Sequence, residues 1–396
     1  MKYREFGKSG WKVSALGFGA MRLPTTDGTI TSRDRQIQER AGNIDEDQAI
    51  SIIRHAIDKG VNYVDTAYVY QTGNSERVLG EALKDGYREK VKLATKSPVQ
   101  LIEKAEDYDR YLDEQLEKLQ TDHIDYYLLH GLGAKRWKVI QDLGVLRRAE
   151  SAVEDGRIGH IGFSFHDGYD SFQEIVDGYD HWEMCLIQHN YMDIENQAGT
   201  RGLRYAASKG LAVLIMEPLL GGNLADPPPE IQAIFDEYDA SRSPADWALQ
   251  WLWSQPEVSC VLSGMRSLEQ VDENIRSADA SGIHPMSEEE LNLIDRVRQK
   301  FKERGAIPCT QCGYCAPCPN GVDIQANFEL YNQGLMYEEL FQPHFFYSGR
   351  LDEKERASSC EQCGECEEKC PQEIPISEWM PKVHAVLGEG KQYDKT

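Results

Sequence analysis

The chain has 396 residues and a formal net charge of −23, with 40% hydrophobic and 28% charged residues. This length exceeds a single ordinary core and suits one large domain with a small one, and the composition is that of a soluble globular protein. The acidic balance argues against non-specific nucleic-acid binding, which requires a basic surface. No apolar run has the length of a membrane span and no apolar secretion segment opens the chain, so we expect a cytoplasmic protein.

A hairpin is predicted over residues 2–14, with its turn at Gly7–Gly10. Short apolar runs and amphipathic segments then alternate. The apolar runs predict eight buried strands, at Ala15–Gly19, Val61–Asp65, Val91–Thr95, Ile124–His130, His160–Ser164, Met184–His189, Leu211–Met216 and Val258–Leu262. The amphipathic segments predict helices at Asp45–Lys59, Ser75–Lys84, Tyr108–Leu119, Val145–Asp155, Ser171–Val176, Gly202–Lys209, Pro244–Trp253 and Leu268–Ser277.

Eight strand–helix units predict an α/β fold of the (β/α)8 TIM barrel type. A doubly wound open sheet gives the same alternation, but the count of eight and the lack of a Gly-x-Gly-x-x-Gly motif after an early strand favour the barrel. The long polar stretch Pro24–Asn43 follows the first strand. On a barrel it lies at the catalytic face, where it serves as a lid or is only a tolerated insertion.

Three consecutive predicted strands end in titratable residues, namely Asp65, Lys96 and His130, and Tyr70 lies in the loop beyond Asp65. A lone His or Lys in such a place is more often structural or directed at solvent. Three of them at the face where barrels carry out chemistry are a stronger signal. The sequence therefore predicts an active site at the C-terminal ends of these strands.

The set Asp65, Tyr70, Lys96 and His130 resembles the catalytic tetrad of the aldo-keto reductases, and the motif DTAxxY with NSE after it resembles the family's signature. The resemblance covers about residues 1–300. It implies a (β/α)8 barrel that binds a nicotinamide dinucleotide at its C-terminal face without a Rossmann fold. In such an enzyme Tyr70 gives a proton to the carbonyl oxygen, Lys96 favours the ionised phenol, Asp65 holds Lys96, and His130 bonds the carbonyl oxygen.

The resemblance also implies a set of cofactor contacts. Ser164 and Gln188 match the ligands of the nicotinamide carboxamide, although Phe165 stands where the family usually has Asn. The basic residue that many relatives carry at position 270 is absent, whereas Arg266 can face a 2′-phosphate, so NADP(H) is favoured over NAD(H). The matching positions are Ser164, Gln188, Pro218, Leu219, Gly221, Gly264, Arg266, Gln270 and Asn274.

Eight of the ten cysteines lie between Cys309 and Cys370, which marks a second domain. Two Cys-x2-Cys-x2-Cys runs, each followed by a cysteine before proline, are typical of proteins with two 4Fe-4S clusters, where that fourth cysteine ligates the other cluster. Paired zinc sites and disulfides are the alternatives, and both fit less well. The expected ligand sets are Cys309, Cys312, Cys315 with Cys370, and Cys360, Cys363, Cys366 with Cys318.

We therefore predict a barrel over residues 1–303 and a small, mainly helical ferredoxin-like domain over residues 304–396. The whole resembles a branch of aldo-keto reductases with a C-terminal 4Fe-4S module. Three functions remain open: reduction of a small carbonyl compound (or oxidation of the alcohol), electron transfer that links a ferredoxin or flavoprotein to the barrel, and redox sensing. No flavin-binding signature is present. Tyr68, Trp137 and Trp182 line the pocket or pack in the core.

Overall fold

The computed structural model describes residues 1–26, 44–282, 286–309 and 312–393. The described residues form two compact units. The first contains residues 1–26, 44–226, 242–282 and 286–291, and the second contains residues 227–241, 292–309 and 312–393. Nearly all of the polar stretch Pro24–Asn43 lies outside the described residues.

The first unit is a closed barrel of eight parallel strands, as the sequence predicts. Each strand pairs with its neighbours in chain order, and the last strand pairs with the first. The hairpin strands β1 (Tyr3–Glu5) and β2 (Lys12–Ser14) pair with each other outside the barrel. The barrel strands are β3 (Leu16–Gly19), β4 (Tyr63–Asp65), β5 (Lys92–Ser97), β6 (Ile124–Leu132), β7 (Ile158–Phe165), β8 (Met184–Gln188), β9 (Ala212–Met216) and β10 (Val258–Ser263).

Helices follow the strands in the first unit. They are α1 (Glu46–Asp58), α2 (Ser75–Ala82), α3 (Glu106–Leu119), α4 (Ala134–Asp142), α5 (Val145–Glu154), α6 (Tyr169–Asp177), α7 (Gly199–Ser208), α9 (Pro244–Trp253) and α10 (Leu268–Ala280). Helix α4 has no counterpart among the predicted helices, because its apolar spacing is short and only Trp137 and Ile140 are buried. Among the described residues, no helix is long and apolar enough to cross a membrane.

The alternation of side chains along each strand divides the core of the barrel into two layers. Inward residues such as Tyr63, Tyr126 and Leu186 fill the interior. Outward residues such as Val64 and Tyr127 pack against the helices. The interior is therefore a packed core up to the last inward position of each strand, and chemistry can begin only at the rim above it.

The second unit is helical. Its core is formed by apolar residues of α12 (Ile324–Tyr337), α13 (Phe341–Gly349) and α14 (Ile376–Leu387), with α8 (Pro229–Asp239) and the part of α11 (Glu288–Glu303) from Asn292 onward in the same unit. Arg304 forms ion pairs with Glu230 of α8 and with Glu338 at the end of α12. The domain boundary at residue 303 stays a prediction, and the compact units divide the chain earlier.

Asp125 joins two neighbouring strands near the start of the barrel. Its carboxylate accepts hydrogen bonds from Lys92 Nζ at 2.7 Å, from Arg88 Nη2 at 2.8 Å and from the Leu93 amide at 3.0 Å. Burial acts to raise the pKa of Asp125, but the bonds from Lys92 and Leu93 and the charge of Arg88 outweigh it and lower that pKa. The ionised form is thus bound more tightly in the folded chain than in the unfolded one.

We expect Asp125→Asn to lower the free energy of unfolding by about 2 kcal/mol at neutral pH, because charged hydrogen bonds are lost. The difference from wild type should be present above pH ~4 and vanish as pH falls further, since both forms then lack the charge. Urea unfolding followed by tryptophan fluorescence measures this. The exposed Asp122→Asn is the control, and equal midpoints for the two variants would contradict the assignment.

Candidate active site

The last inward-facing residue of five consecutive barrel strands is polar. Each lies two positions beyond an inward residue, as Asp65 lies beyond Tyr63 and Lys96 beyond Ala94. Because all the strands are parallel, these positions meet at one rim of the barrel. The five residues are Asp65, Lys96, His130, Ser164 and Gln188.

Lys96 is the central cation of this rim. Its side chain is fully buried, and its Nζ lies 2.5 Å from Asp65 Oδ1 and 2.7 Å from the carbonyl oxygen of Thr66. Burial acts to lower the pKa of Lys96, but Asp65 and Tyr70 outweigh it and leave that pKa above its ordinary value. Lys96 is therefore a charged ammonium group held at a fixed point.

Tyr70 reaches the same point from the loop after β4. The chain turns back through a short helical turn at Tyr70–Gly73, in which Gln71 and Thr72 have φ angles of 51° and 52°. Lys96 Nζ lies 4.7 Å from the centre of the Tyr70 ring, and the His130 ring meets that ring edge-on with centroids 5.8 Å apart. The structure thus brings together all four residues of the predicted tetrad.

The phenol and the imidazole of this cluster are both neutral at pH 7. Burial raises the pKa of Tyr70 above its ordinary value of 10, although Lys96 acts in the opposite direction. Burial and the charges of Lys96, His166 and Arg136 lower the pKa of His130 well below its ordinary value of 6.5. A protonated phenol and a neutral imidazole are the forms that can donate a hydrogen bond without carrying charge.

A second buried hydrogen-bond network holds the backbone of Lys96 in place. The sequence alone assigns no function to its residues. Glu76 of α2 accepts hydrogen bonds from Thr95 Oγ1 at 2.7 Å and from the amide of Gln115. The same amide nitrogen of Gln115 also donates to the carbonyl oxygen of Lys96 at 3.1 Å, and Tyr127 donates to the Gln115 oxygen. The only signal in the sequence is that Glu76 belongs to the motif NSE.

The expected carboxamide ligands both lie at the rim. Ser164 Oγ accepts a hydrogen bond from the Gly131 amide at 2.8 Å. Phe165 points outward and packs against Phe172 at 5.0 Å between ring centroids, so it offers no polar contact to the site. The next residue, His166, faces the rim, with Nδ1 3.2 Å from Gln197 Oε1.

Gln188 is held by a chain of amides and one acid. Its Nε2 donates to Asp193 Oδ2 at 2.7 Å, and its Oε1 accepts from Gln197 Nε2 at 3.1 Å. Asn190 Nδ2 donates to the same Asp193 oxygen at 3.3 Å. These contacts fix the orientation of the Gln188 amide, with its nitrogen toward Asp193 and its oxygen toward Gln197. Asp193 and Gln197 follow β8 in a loop, and no pattern in the sequence marked them.

The remaining expected cofactor residues follow β9 and β10. After β9, Glu217 has a φ angle of 52°, and Pro218, Leu219 and Gly221 lie in the tight turn that follows. After β10, Gln270 Oε1 accepts from the Arg266 amide at 2.8 Å, and Asn274 donates to Ser263 Oγ at 3.1 Å. Gly264 and Arg266 thus precede the N-terminus of α10, a place suited to an anion.

The eight clustered cysteines surround two cavities in the second unit. Ile324 and Ile376 line both cavities, so the two share a wall. Three cysteines of one run and the fourth of the other line each cavity, the sets that the sequence pairs. They are Cys309, Cys312, Cys315 and Cys370 in one, and Cys318, Cys360, Cys363 and Cys366 in the other.

The aromatic residues considered for the pocket are not brought together there. Trp137 and Trp182 are buried in the outer core, with ring centroids 6.0 Å apart. Tyr68 points to α3, where its hydroxyl donates to Glu114 at 2.8 Å and Lys118 Nζ lies 3.9 Å from its ring centre. These three residues are packing residues.

Two family models match the chain. The model of the Aldo/keto reductase family matches residues 15–299. The model of the 4Fe-4S dicluster domain matches residues 308–374. Together they match most of the chain, the first in the barrel and the second in the cysteine-rich region.

Individual relatives match about three quarters of the chain. L-galactose dehydrogenase of Arabidopsis thaliana is 27% identical over 323 residues, which are 76% of this chain and 96% of the relative. The holo form of aldo-keto reductase AKR11C1 from Bacillus halodurans has a TM-score of 0.61 and 26% identity, over 75% of this chain and 96% of that one. An aldo-keto reductase from Klebsiella pneumoniae, solved with NADPH, shares the fold with a TM-score of 0.58 and 24% identity, over 75% and 95%.

We expect His130 to stay neutral at pH 6, because burial and the cation Lys96 both oppose its protonation. A histidine-selective NMR titration, with His130→Asn used to assign the resonance, measures this. A short histidine-containing peptide in the same buffer gives the reference midpoint of an unburied imidazole. A titration midpoint of His130 near 6.5 would contradict the environment described for it.

Proposed function

The chain belongs to the aldo/keto reductase family, and from that premise we propose that it reduces the carbonyl group of a small aldehyde or ketone, with NADP(H) as cofactor and Tyr70 as proton donor. Family membership makes it an NAD(P)-dependent oxidoreductase, and a C-terminal 4Fe-4S domain follows the barrel. The observation that carries the proposal is the cluster of a protonated phenol, a charged ammonium group and a neutral imidazole at one point of the rim.

Reduction of a carbonyl requires two electrons on carbon and a proton on oxygen. NADP(H), when bound, supplies the hydride. The Tyr70 hydroxyl donates its proton to the carbonyl oxygen as negative charge develops there. His130 donates a hydrogen bond to the same oxygen and orients it. Lys96 stabilises the phenolate left on Tyr70, and Asp65 keeps Lys96 charged and in place.

The rim residues fit a nicotinamide dinucleotide. Ser164 and Gln188 would hold the carboxamide, and the hydrogen bonds on Gln188 leave one N–H and one lone pair for it. Pro218, Leu219 and Gly221 would cover the pyrophosphate. Gly264, Arg266, Gln270 and Asn274 would hold the adenosine end, where Arg266 favours a 2′-phosphate and hence NADP(H).

We also propose two 4Fe-4S clusters, one in each cysteine cavity, with Cys309, Cys312, Cys315 and Cys370 around the first and Cys318, Cys360, Cys363 and Cys366 around the second. The lining of the cavities supports clusters, because three cysteines of one run and the fourth cysteine of the other line each cavity, as in proteins with two 4Fe-4S clusters.

Electron transfer to a ferredoxin or flavoprotein is the second candidate function. The observation that favours it is the common wall of Ile324 and Ile376, which places the two cavities side by side as a pair of one-electron sites. A structural or redox-sensing role for the clusters is the third. Turnover of cluster-deficient variants separates these functions.

We expect Tyr70→Phe to abolish carbonyl reduction, with a loss of at least ~100-fold in kcat, because only the proton donor is removed. NADPH binding, followed by tryptophan fluorescence, should remain within about twofold of wild type. Tyr68→Phe is the matched control, since its hydroxyl bonds Glu114 away from the rim. Near-normal turnover by Tyr70→Phe would contradict the assignment.

We expect anaerobically purified protein to hold about eight irons and eight sulfides per chain, as two 4Fe-4S clusters require. Cys363→Ser should lower both numbers toward four, whereas Cys185→Ala, in a barrel strand, should leave them unchanged. A colourless protein that contains zinc would overturn the cluster proposal.

The same variant tests the role of the clusters in turnover. If Cys363→Ser keeps NADPH-dependent aldehyde reduction, that cluster is not on the electron path. If it loses the reduction, electron transfer through the clusters is favoured.

A further inference from the structure

Two basic side chains, Arg136 and His166, lie beside His130, on the side formed by the ends of β6 and β7. Gly131 follows His130 and has a φ angle of 62°. A Cβ atom at Gly131 would lie 2.5 Å from Arg136 Nη1 and 3.7 Å from His166 Cδ2. Arg136 and His166 therefore cover the peptide that follows His130, and only glycine leaves room for the guanidinium there.

Arg136 comes from the first turn of α4 and reaches back over the strand end. Its Nη1 donates to the carbonyl oxygen of Gly131 at 2.6 Å. Among the described residues, no carboxylate forms an ion pair with this guanidinium, and the bond to Gly131 is its one hydrogen bond to a protein acceptor. Arg136 is exposed, so water can reach the N–H groups that no protein acceptor uses, whereas the partly buried Arg88 in the same barrel is paired with Asp125 at 2.8 Å.

The carboxylates near this group are engaged elsewhere. Asp167, next to His166, accepts hydrogen bonds from the amides of Ala134 and Gly168 at 2.8 Å each. Asp65 is bound to Lys96. The charges that act on His130 are those of Lys96, His166 and Arg136, all of them basic. This patch of basic side chains contrasts with the net charge of −23 of the whole chain.

We propose that Arg136, with His166 beside it, forms an oxyanion subsite that binds a carboxylate or phosphate carried by the carbonyl substrate. This inference rests on the proposed carbonyl reduction and gives it a substrate class, namely small aldehydes or ketones with an acidic group. The guanidinium offers planar N–H donors that match a carboxylate. Because it is bound to the carbonyl oxygen of Gly131, the residue after His130, an anion on it would lie next to the reacting carbonyl. Arg136 acts on specificity, and Tyr70 and His130 act on the carbonyl.

The test compares charged aldehydes with neutral analogues of similar size. The carboxylate pair is 4-carboxybenzaldehyde and its methyl ester, and the phosphate pair is glyceraldehyde 3-phosphate and glyceraldehyde. We expect wild-type kcat/KM to favour the charged member of at least one pair by roughly 10- to 100-fold, the worth of a charged hydrogen bond. The favoured pair identifies the anion. The preference should fall as salt is raised.

Arg136→Gln should remove that preference through KM of the charged aldehyde and leave the neutral aldehyde within about twofold. Arg136→Lys should restore part of it. Lys138→Gln is the matched control, because Lys138 lies on the same helix and pairs with Asp142 at 3.1 Å. If Arg136→Gln lowers turnover of both members equally, Arg136 only holds Gly131 and His130 in place, and the subsite is wrong. Equal wild-type turnover of both members of both pairs would also overturn it.

Binding measurements separate this proposal from the one it rests on. Calorimetric titration of 4-carboxybenzaldehyde and of glyceraldehyde 3-phosphate into the protein without NADPH requires no catalysis. Tighter binding to wild type than to Arg136→Gln, in a protein that reduces no aldehyde, would support the subsite and contradict the carbonyl reduction. Reduction of neutral aldehydes, with equal binding of the charged aldehydes to wild type and Arg136→Gln, would support the carbonyl reduction and contradict the subsite.

Discussion

The ion pair between Lys96 and Asp65 is the interaction on which the rest of the site depends. An ammonium group that is fully removed from water is tolerated only where a partner and further acceptors surround it. Asp65 Oδ1 and the Thr66 carbonyl oxygen, at the end of β4, supply them. They reach Lys96 because β4 pairs directly with β5 in the barrel. The pair thus needs the closed sheet, and the position of the Tyr70 ring over Lys96 follows from the pair.

Much of this site could be predicted because it obeys the two-residue period of a strand. Apolar runs that end in Asp65, Lys96 and His130 fix both the strands and the residues at their ends. The same period would have placed Phe165 on the outer face once Ser164 was placed inward. What the strand pattern predicts is which residues share the rim.

The residues that the sequence did not mark come from helices and loops. Gln115 supports Lys96 from α3, Asp193 and Gln197 hold Gln188 from the loop after β8, and Arg136 reaches the rim from α4. Each contact joins positions whose spacing in the chain follows no period, so only the folded structure relates them. Helix α8 has no counterpart among the predicted helices for another reason. Three prolines precede or open it, and such a run is typical of a loop, although a proline in the first turn also favours the start of a helix.

Acidic and basic side chains lie on different sides of Tyr70, and this arrangement affects which ligands can bind there. Glu217 and Asp193 lie toward β8 and β9, where Glu217 pairs with Arg22 at 3.2 Å and Asp193 accepts hydrogen bonds from amides. Lys96, Arg136 and His166 lie toward β5, β6 and β7. Charges beyond about 8 Å are largely screened at physiological salt. The net charge of −23 therefore slows the approach of an anion at low salt, whereas its affinity once bound is set by the nearby cations.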